Sequence, residues 1–250
     1  MNLLKKLAIL IIFSNISIFT SNVNAEILVF GGTGELGSEI VYDLLDANQK
    51  VTVFVRPTSK KVLLKDLDVS YVTGDVLNEE DVERAIKSKK FKVIIDALAR
   101  DRNIDAEFYV TSMNYISKWS EKAGVNQIIL HGSVGAGLSQ KIYPKDRLNS
   151  MRELLTAKGL GERYLIESDV NYTIIRNLIL LPNDVKESGK AYLTENQLAK
   201  GGVTRDALAR LTLECLNKQS CFNNIYHGID DELIIPEKYS RWKKQIDSMK

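Results

Sequence analysis

The fold is decided by the stretch ILVFGGTGELG, residues 27–37. Its four leading apolar residues predict a buried strand, its four glycines predict a tight turn, and the residues that follow predict the start of a helix. Glycine lets the backbone approach a ligand closely, and the first N–H groups of a helix attract negative charge. The stretch therefore predicts the strand–turn–helix with which a Rossmann domain binds the diphosphate of a dinucleotide.

The spacing of these glycines alone does not distinguish a nucleotide site from an ordinary tight turn. Gly31, Gly34 and Gly37 follow a G-x-x-G-x-x-G pattern rather than the more common G-x-G-x-x-G. A tight turn with no ligand is the alternative. The position of the motif, directly after an apolar strand and before an amphipathic helix at residues 34–48, favours the nucleotide site.

Strands and helices alternate along the rest of the chain. Apolar runs predict strands at residues 26–30, 51–55, 69–72, 93–97, 127–131 and 172–176. Helices are predicted at residues 34–48, after the capping residue Asn78, at 106–123 (ended by Gly124) and at 149–168. This repetition predicts an α/β fold, a doubly wound parallel sheet with helices on both faces.

The alternation loosens after Pro182. The later elements are a possible strand at 191–194, a helix at 204–216, a strand at 224–227 and a helical tail at 237–250. A segment of this size is too short for a second domain. Residues 26–250 are therefore expected to form one Rossmann domain, with roughly 177–250 as a small C-terminal annex on the substrate side.

The N-terminus has the three parts of a secretory signal. A basic pair at residues 5–6 precedes an apolar run at 7–19, and residues 23–25 (VNA) fit a small-residue cleavage pattern. We expect cleavage after Ala25, export to the periplasm or outside the cell, and no membrane segment afterwards. A membrane anchor and a mis-assigned start codon, which would leave the protein cytoplasmic, are the alternatives.

Composition limits the classes of partner. Residues 1–25 contain two of the 34 basic residues and none of the 32 acidic ones, so the rest of the chain carries 32 of each. Such a balance gives no indication of nucleic acid or anionic lipid. Cys215 and Cys221 could form a disulfide in an oxidising compartment, or stay as buried thiols. With His131 and His227 distant, no metal site is expected.

The end of the second predicted strand distinguishes the two nicotinamide cofactors. An acidic residue there would bind the ribose 2′-OH of NAD, but the chain has RPTSK at residues 56–60. The forked guanidinium of Arg56 suits a 2′-phosphate, which favours NADP and leaves NAD possible. A solvated loop arginine is the alternative. Asp75, after the third strand, is expected to face the adenine amino group or to cap a turn.

The ordered set of motifs resembles the atypical short-chain dehydrogenase/reductases, in particular the NAD(P)H-binding, NmrA-like type. The motifs are GGTGELG (31–37), VR (55–56), GDV (74–76), GS (132–133), YTIIR (172–176) and TRDALA (204–209). The likeness covers residues 26–227 and implies an NADP-bound reductase or a nucleotide-sensing relative. The residues expected to contact the cofactor are Gly31, Thr33, Gly34, Glu35, Leu36, Gly37, Arg56, Asp75, Val76, Ala97 and Lys158.

The resemblance also assigns catalytic candidates. Classical members use a Ser, a Tyr and a Lys four residues after the Tyr; the phenol moves the proton while nicotinamide transfers hydride. The resemblance implies Ser133 and Lys158 for two of these roles. Leu154, which cannot transfer a proton, occupies the position of the Tyr. Tyr143 is a weak candidate for a displaced phenol, with a packed or surface tyrosine as the alternative.

Three functions are compatible with these residues. The first is hydride transfer from NADPH to a small organic acceptor without the usual Tyr, with Ser133 orienting the acceptor and Lys158 the ribose. The second is a non-catalytic NAD(P)H-binding redox sensor or assembly factor. A nucleotide-sugar epimerase fits less well, because those relatives usually keep the Tyr and have a larger C-terminal domain. His131 and Arg176 are expected to be structural.

Overall fold

A computed structural model describes residues 26–101 and 103–248. The predicted signal peptide, residues 1–25, lies outside the described residues. The strands are β1 (Glu26–Phe30), β2 (Lys50–Val55), β3 (Ser70–Thr73), β4 (Phe91–Asp96), β5 (Gln127–Ser133), β6 (Asn171–Asn177), β7 (Ile179–Leu180), β8 (Tyr192–Thr194), β9 (Gly202–Val203) and β10 (Asn224–Ile229). The helices are α1 (Glu35–Asp46), α2 (Glu79–Lys87), α3 (Phe108–Ala123), α4 (Lys145–Ile166), α5 (Arg205–Glu214) and α6 (Ser240–Asp247).

Eight of the strands form one sheet in the order β3-β2-β1-β4-β5-β6-β10-β8. Every pairing in it is parallel except that of β8 with β10. The chain moves outward from β1 to β3 and then returns to the other side of β1 with β4. This reversal is the switch point at which open α/β sheets bind ligands, and it confirms the predicted Rossmann arrangement.

Helices cover both faces of the sheet. On one face α1 contacts α5, and the core there includes Val29, Ile40 and Leu208. On the other face α2, α3 and α4 pack in a row, with Val82 and Leu165 in a second core. Burial on both faces explains why the central strands read as continuous apolar runs instead of alternating patterns.

The helix ends follow local chemistry. The Asn78 side chain accepts hydrogen bonds from the N–H groups of Glu80 and Asp81, which starts α2 as predicted. Gly124, at φ +68°, ends α3. Helix α4 begins at Lys145, four residues before the predicted start at 149, because Pro144 stands at its N-cap, where the missing N–H of a proline removes no helix hydrogen bond.

The C-terminal residues divide between the main sheet and the predicted annex. β10 pairs with β6 and α5 packs on α1, so both extend the Rossmann layers. β7 and β9 form a separate two-stranded sheet that sequence reasoning missed. The Cys215–Cys221 disulfide is present and joins the end of α5 to the turn before β10. In the two described ranges, no helix has the length and apolarity needed to cross a bilayer.

Candidate functional site

A cleft of about 800 Å³ opens at the carboxyl ends of the central strands. It runs from the glycine turn after β1, past the end of β4, to the ends of β5 and β6. The predicted site residues that line it are Gly31, Thr33, Gly34, Glu35, Leu36, Arg56, Val76, Ala97, Ser133 and Lys158. The glycine turn and five residues that are distant from it in the sequence therefore meet at one surface.

The glycine turn brings its backbone very close to the neighbouring strand end. Gly31 has φ +77°, and a Cβ there would lie 2.5 Å from the Ala97 carbonyl oxygen. Gly34 is the N-cap of α1, and no side chain caps that helix. The first N–H groups of a helix lack partners within it, so α1 begins as an uncapped helix at the cleft. These residues fit the diphosphate of a dinucleotide.

Gly37 contributes to the site without lining the cleft. A Cβ at this position would lie 2.2 Å from the Gly31 carbonyl oxygen. Its role is the close contact of α1 with the turn, which is how the third glycine acts in such motifs. Asp75 does not line the cleft either. Its backbone N–H donates to Asp81 at 2.8 Å and its carboxylate accepts from the Leu77 N–H at 3.0 Å. These contacts give Asp75 the turn-capping role that was one of its two expected roles.

Positive charge lies at the end of β2. Arg56 lines the cleft together with Thr58, Ser59 and Lys60. Its Nη1 lies 2.9 Å from the Asp101 carboxylate, and the two side chains are 49% and 65% exposed. Two cations and two hydroxyls at one corner of a cleft suit a phosphate monoester. The Asp101 carboxylate would have to yield when such a group bound.

A second arginine joins α5 to the glycine turn. Arg205 lines the cleft, and its Nη2 lies 2.7 Å from the Glu35 carboxylate. Its Nη1 donates to the Leu181 carbonyl oxygen at 2.8 Å, which fixes the guanidinium in place. In the sequence, the start of α5 was identified only by the TRDALA motif. The motif alone does not predict that Arg205 lines the cleft.

The floor of the cleft carries buried charges. Burial raises the pKa of Asp96 to about 6, against the opposing effects of the Leu98 N–H and Lys158. Burial lowers the pKa of Lys158, and Asp96 and Glu162 act against that shift. The Lys158 ammonium also lies 4.1 Å from the centre of the Tyr109 ring, a cation–π contact. Lys158 is therefore held between negative groups at the acceptor end of the cleft.

Glu162 and Arg176 form a buried ion pair beside this floor. Both side chains are 3% exposed, and the guanidinium donates to the carboxylate at 2.6 and 3.1 Å. A third donor of Arg176 reaches Gln197. The pair ties α4 to β6, so the expectation of a structural role for Arg176 agrees with its contacts.

His131 is buried but reaches the cleft wall. Its Nδ1 lies 3.1 Å from Asn177 Oδ1, and its Nε2 lies 2.8 Å from Thr212 Oγ1. Burial lowers the pKa of His131 to about 4, which keeps the ring neutral near pH 7. The expected core histidine is therefore satisfied, and it also touches a residue of the site.

Neither Tyr143 nor Leu154, the two residues weighed for the phenol position, lines the cleft. The Tyr143 ring is buried in the core against Gly135, and Arg147 stacks on it at 4.9 Å. This position agrees with the packed tyrosine that was the alternative reading of Tyr143. Ser133 and Lys158 are brought to the same cleft as predicted.

Sequence reasoning missed several cleft residues. They are Thr58, Ser59, Lys60, Arg100, Asn177 and Arg205. Lys60 and its two neighbours lie within the RPTSK segment, and the basic character of that loop could have identified them. No sequence feature identifies Asn177 as a cleft residue, because asparagine is common in the loops that follow strands. Among residues 26–101 and 103–248, no group of three or more metal-ligating side chains is found.

Comparison with known proteins places this cleft in a family. Residues 31–219 match the family described as NAD(P)H-binding. An uncharacterized chloroplastic protein of Arabidopsis thaliana is 28% identical over 76% of this chain and 71% of its own. The photosystem II assembly factor Ycf39 of Synechocystis is 27% identical over 60% of this chain. That match spans only 43% of the assembly factor.

A solved structure agrees with the architecture. ChuY, an anaerobilin reductase from Escherichia coli O157:H7, superposes with a TM-score of 0.74 and covers 85% of this chain and 100% of its own. The two sequences are 24% identical. At that identity the likeness establishes a shared fold and leaves the reaction of each protein to its own residues.

Proposed function

Because this chain belongs to the NAD(P)H-binding family, whose members are reductase-like, we propose that it is an NADP-dependent oxidoreductase acting on a small organic acceptor. One observation carries the proposal. A single cleft joins an uncapped helix N-terminus, a basic corner at Arg56 and Lys60, and the pair Ser133 and Lys158. A dinucleotide needs these features in this order, from diphosphate and 2′-phosphate to the reacting ring.

Each group of residues has a separate task. The turn at residues 31–34 binds the diphosphate through its backbone, and Arg56 binds the 2′-phosphate. Lys158 holds the ribose hydroxyls, while Ser133 orients the acceptor. The cofactor, when bound, supplies hydride. The apolar wall around Leu178 and Phe108 keeps water away from the reacting atoms.

The choice between NADP and NAD is tested by charge reversal. We expect Arg56→Asp to weaken NADPH binding by about 10- to 100-fold, because a charge-assisted contact is lost and a repulsion is introduced. NADH affinity should change less than about threefold. Arg152→Asp, on an exposed turn of α4, is the matched charge control. Equal losses for both cofactors on fluorescence titration would contradict the 2′-phosphate assignment.

A non-catalytic NAD(P)H sensor or assembly factor is the second candidate. Leu154 stands where the family's Tyr is expected, and neither it nor Tyr143 lines the cleft. The name of one relative, an assembly factor, is compatible with such a role. NADPH binding without hydride transfer to quinones, flavins or aldehydes would favour this candidate over the reductase.

Export is a further part of the proposal. It is supported by the signal-like pattern of residues 1–25 and by the Cys215–Cys221 disulfide, since disulfides persist in oxidising compartments. A mass spectrum of the protein isolated from its native cell would test it. An N-terminus at Glu26 is the expected result, and retention of residues 1–25 would contradict cleavage.

A further inference from the structure

Ser133 and Asn177 stand side by side at the end of the cleft. They are register partners on the parallel strands β5 and β6, and both line the cleft. The Val134 N–H donates to the Asn177 carbonyl oxygen at 3.1 Å, which fixes the two strand ends against each other. His131 lies two residues before Ser133, so its side chain leaves the same face of the sheet.

The carboxamide of Asn177 is oriented by buried groups. Its Oδ1 lies 3.1 Å from His131 Nδ1. A carbonyl oxygen can only accept, so this orientation of the carboxamide requires the neutral ring to carry its proton on Nδ1 and to donate it to Asn177. Nε2 is then an acceptor, and the Thr212 hydroxyl lies 2.8 Å from it. The chain of hydrogen bonds from Thr212 on α5, through His131, to Asn177 requires that the Thr212 hydroxyl donate to Nε2 and not to the Leu208 carbonyl oxygen, which lies 2.7 Å away.

This orientation turns the amide nitrogen of Asn177 away from His131. Within the described ranges, neither that nitrogen nor the Ser133 hydroxyl has a hydrogen-bond partner. Two groups able to donate therefore stand on neighbouring strand ends in the same cleft. Donors arranged in this way are suited to an oxygen that gains negative charge during a reaction.

We propose that Ser133 and Asn177 together bind the oxygen of the hydride acceptor, and that the acceptor is a conjugated carbonyl compound. The inference rests on the proposed reductase function. Asn177 is then a residue that touches substrate, and His131 is a positioning residue that holds its carboxamide. The apolar cleft residues Leu98, Ile104, Phe108, Leu178 and Leu180 would contact the body of such a compound.

A conjugated acceptor can be reduced without a phenol among the residues that line the cleft. When hydride adds to a conjugated carbonyl, the C–H bond at the nicotinamide breaks, a C–H or O–H bond to the acceptor forms, and the electron pair moves onto the acceptor oxygen. The nicotinamide is oxidised and the acceptor is reduced by two electrons. The resulting anion is delocalised, so water can supply the proton and no side chain needs to act as the acid. Ser133 and Asn177 need only stabilise the charge.

Menadione, a flat conjugated diketone, is the probe. It is titrated into the full protein with and without NADP⁺, and its reduction by NADPH is followed separately. Asn177→Asp removes the two amide donors with little change of shape. We expect menadione affinity and kcat/KM to fall about tenfold or more, because the donating amide group is lost and a repulsive charge is added. NADPH affinity should stay within twofold.

Asn171→Asp is the matched control. Asn171 lies at the opposite end of β6 and donates to the Asn126 carbonyl oxygen, away from the cleft. It should leave menadione binding and reduction unchanged. An Asn177→Asp effect no larger than that of the control would overturn the proposal. A loss of NADPH affinity equal to the loss for menadione would also overturn it, because Asn177 would then serve the cofactor's carboxamide.

A spectroscopic measurement tests the orientation in the unmodified protein. The ¹⁵N chemical shifts of His131 distinguish its two neutral tautomers. We expect the Nδ1–H form. The Leu208 carbonyl oxygen, 2.7 Å from Thr212 Oγ1, competes for the hydroxyl proton. An Nε2–H form would mean that the amide presents its oxygen to the cleft, and the donor pair would be wrong. Absence of menadione binding by a protein that binds NADPH would overturn the acceptor class alone, whereas absence of NADPH binding would overturn the proposed function.

Discussion

The two ends of the cleft are built by different means. At the diphosphate end, the site is backbone: Gly31 and Gly34 allow close approach, and the nearby charges of Arg56 and Asp101 are exposed. At the acceptor end, the site is made of side chains fixed by buried polar contacts, such as those of His131. The diphosphate end depends on glycines, whose lack of a Cβ lets the backbone approach a ligand. The acceptor end depends on the buried side chains that pack behind it.

This difference predicts where substitutions will act. Changes behind the acceptor end should cost folding free energy, because buried polar groups lose their partners. Changes at the exposed corner of the diphosphate end should affect affinity and leave stability alone, since water screens the charges there. The following variants test that separation, beginning with the largest expected effect.

The largest loss of stability is expected from the buried ion pair. Glu162→Gln leaves the guanidinium of Arg176 buried without its counter-charge, which should lower the free energy of unfolding by about 3–5 kcal/mol. Glu167→Gln, at the C-cap of the same helix, is the control. Its partner Arg163 is 3.3 Å away and both side chains are more than 60% exposed, so a loss below about 0.5 kcal/mol is expected. Similar urea midpoints for the two variants would refute the comparison.

The glycine turn should lose both affinity and stability. In Gly37→Ala the new methyl group would overlap the Gly31 carbonyl oxygen. The forced shift of α1 should cost about 3 kcal/mol and lower NADPH affinity by about 100-fold. Gly124→Ala is the control, because Gly124 is the C-cap of α3 and a Cβ there would meet no atom within 4 Å. It should cost about 1 kcal/mol, through its positive φ alone, with NADPH affinity retained.

A pH series isolates one buried charge at the acceptor end. The folded-state pKa of Asp96 is about 6, above the ordinary 3.8. Between these values the folded protein binds a proton that the unfolded chain does not. Asp96 therefore contributes stability that is present below about pH 4 and lost as the pH rises through 6.

Asp96→Asn removes this dependence. The free energy of unfolding of the unmodified protein minus that of the variant should fall by about 2–3 kcal/mol between pH 4 and pH 7. Titrating groups that do not interact with Asp96, including Asp43, whose pKa burial and nearby acids also raise to about 6, are common to both proteins and largely cancel. The pKa of Lys158, which Asp96 raises, falls further in the variant. A difference that stays constant with pH would contradict the burial of Asp96 as an acid.

The difference between the two ends of the cleft also explains which parts of the site could be predicted from the sequence. The diphosphate end was predictable, because the turn, its glycines and Arg56 lie within one local β-α-β unit whose geometry the residues themselves determine. The parallel sheet with helices on both faces was predicted from the alternation of strands and helices. The disulfide could be suggested from only two cysteines, although the alternative of free thiols stayed open.

The acceptor end was predictable only in part. Ser133 and Lys158 came from the family resemblance, not from a local pattern. Asn177 and its contact with His131 join strands that are 46 residues apart in the sequence, and no periodicity reports such a pairing. The two readings of Tyr143 could not be separated from the sequence, because its ring packs beside Gly135, a contact that spacing in the sequence cannot reveal.

The smallest effect on affinity is expected at the exposed corner formed by Arg56 and Asp101. It tests most directly whether that corner affects cofactor binding without affecting stability. The Asp101 carboxylate holds Arg56 at 2.9 Å, so a 2′-phosphate must compete with it for the guanidinium. Asp101→Asn removes that competition and a like charge. Exposed ion pairs contribute roughly 0–1 kcal/mol, so NADPH should bind about twofold tighter, with NADH affinity and stability unchanged. Asp105→Asn, later in the same loop, should change neither affinity. A gain shared equally by NADH would show that Asp101 acts on the whole cleft and that the corner at Arg56 does not discriminate between the cofactors.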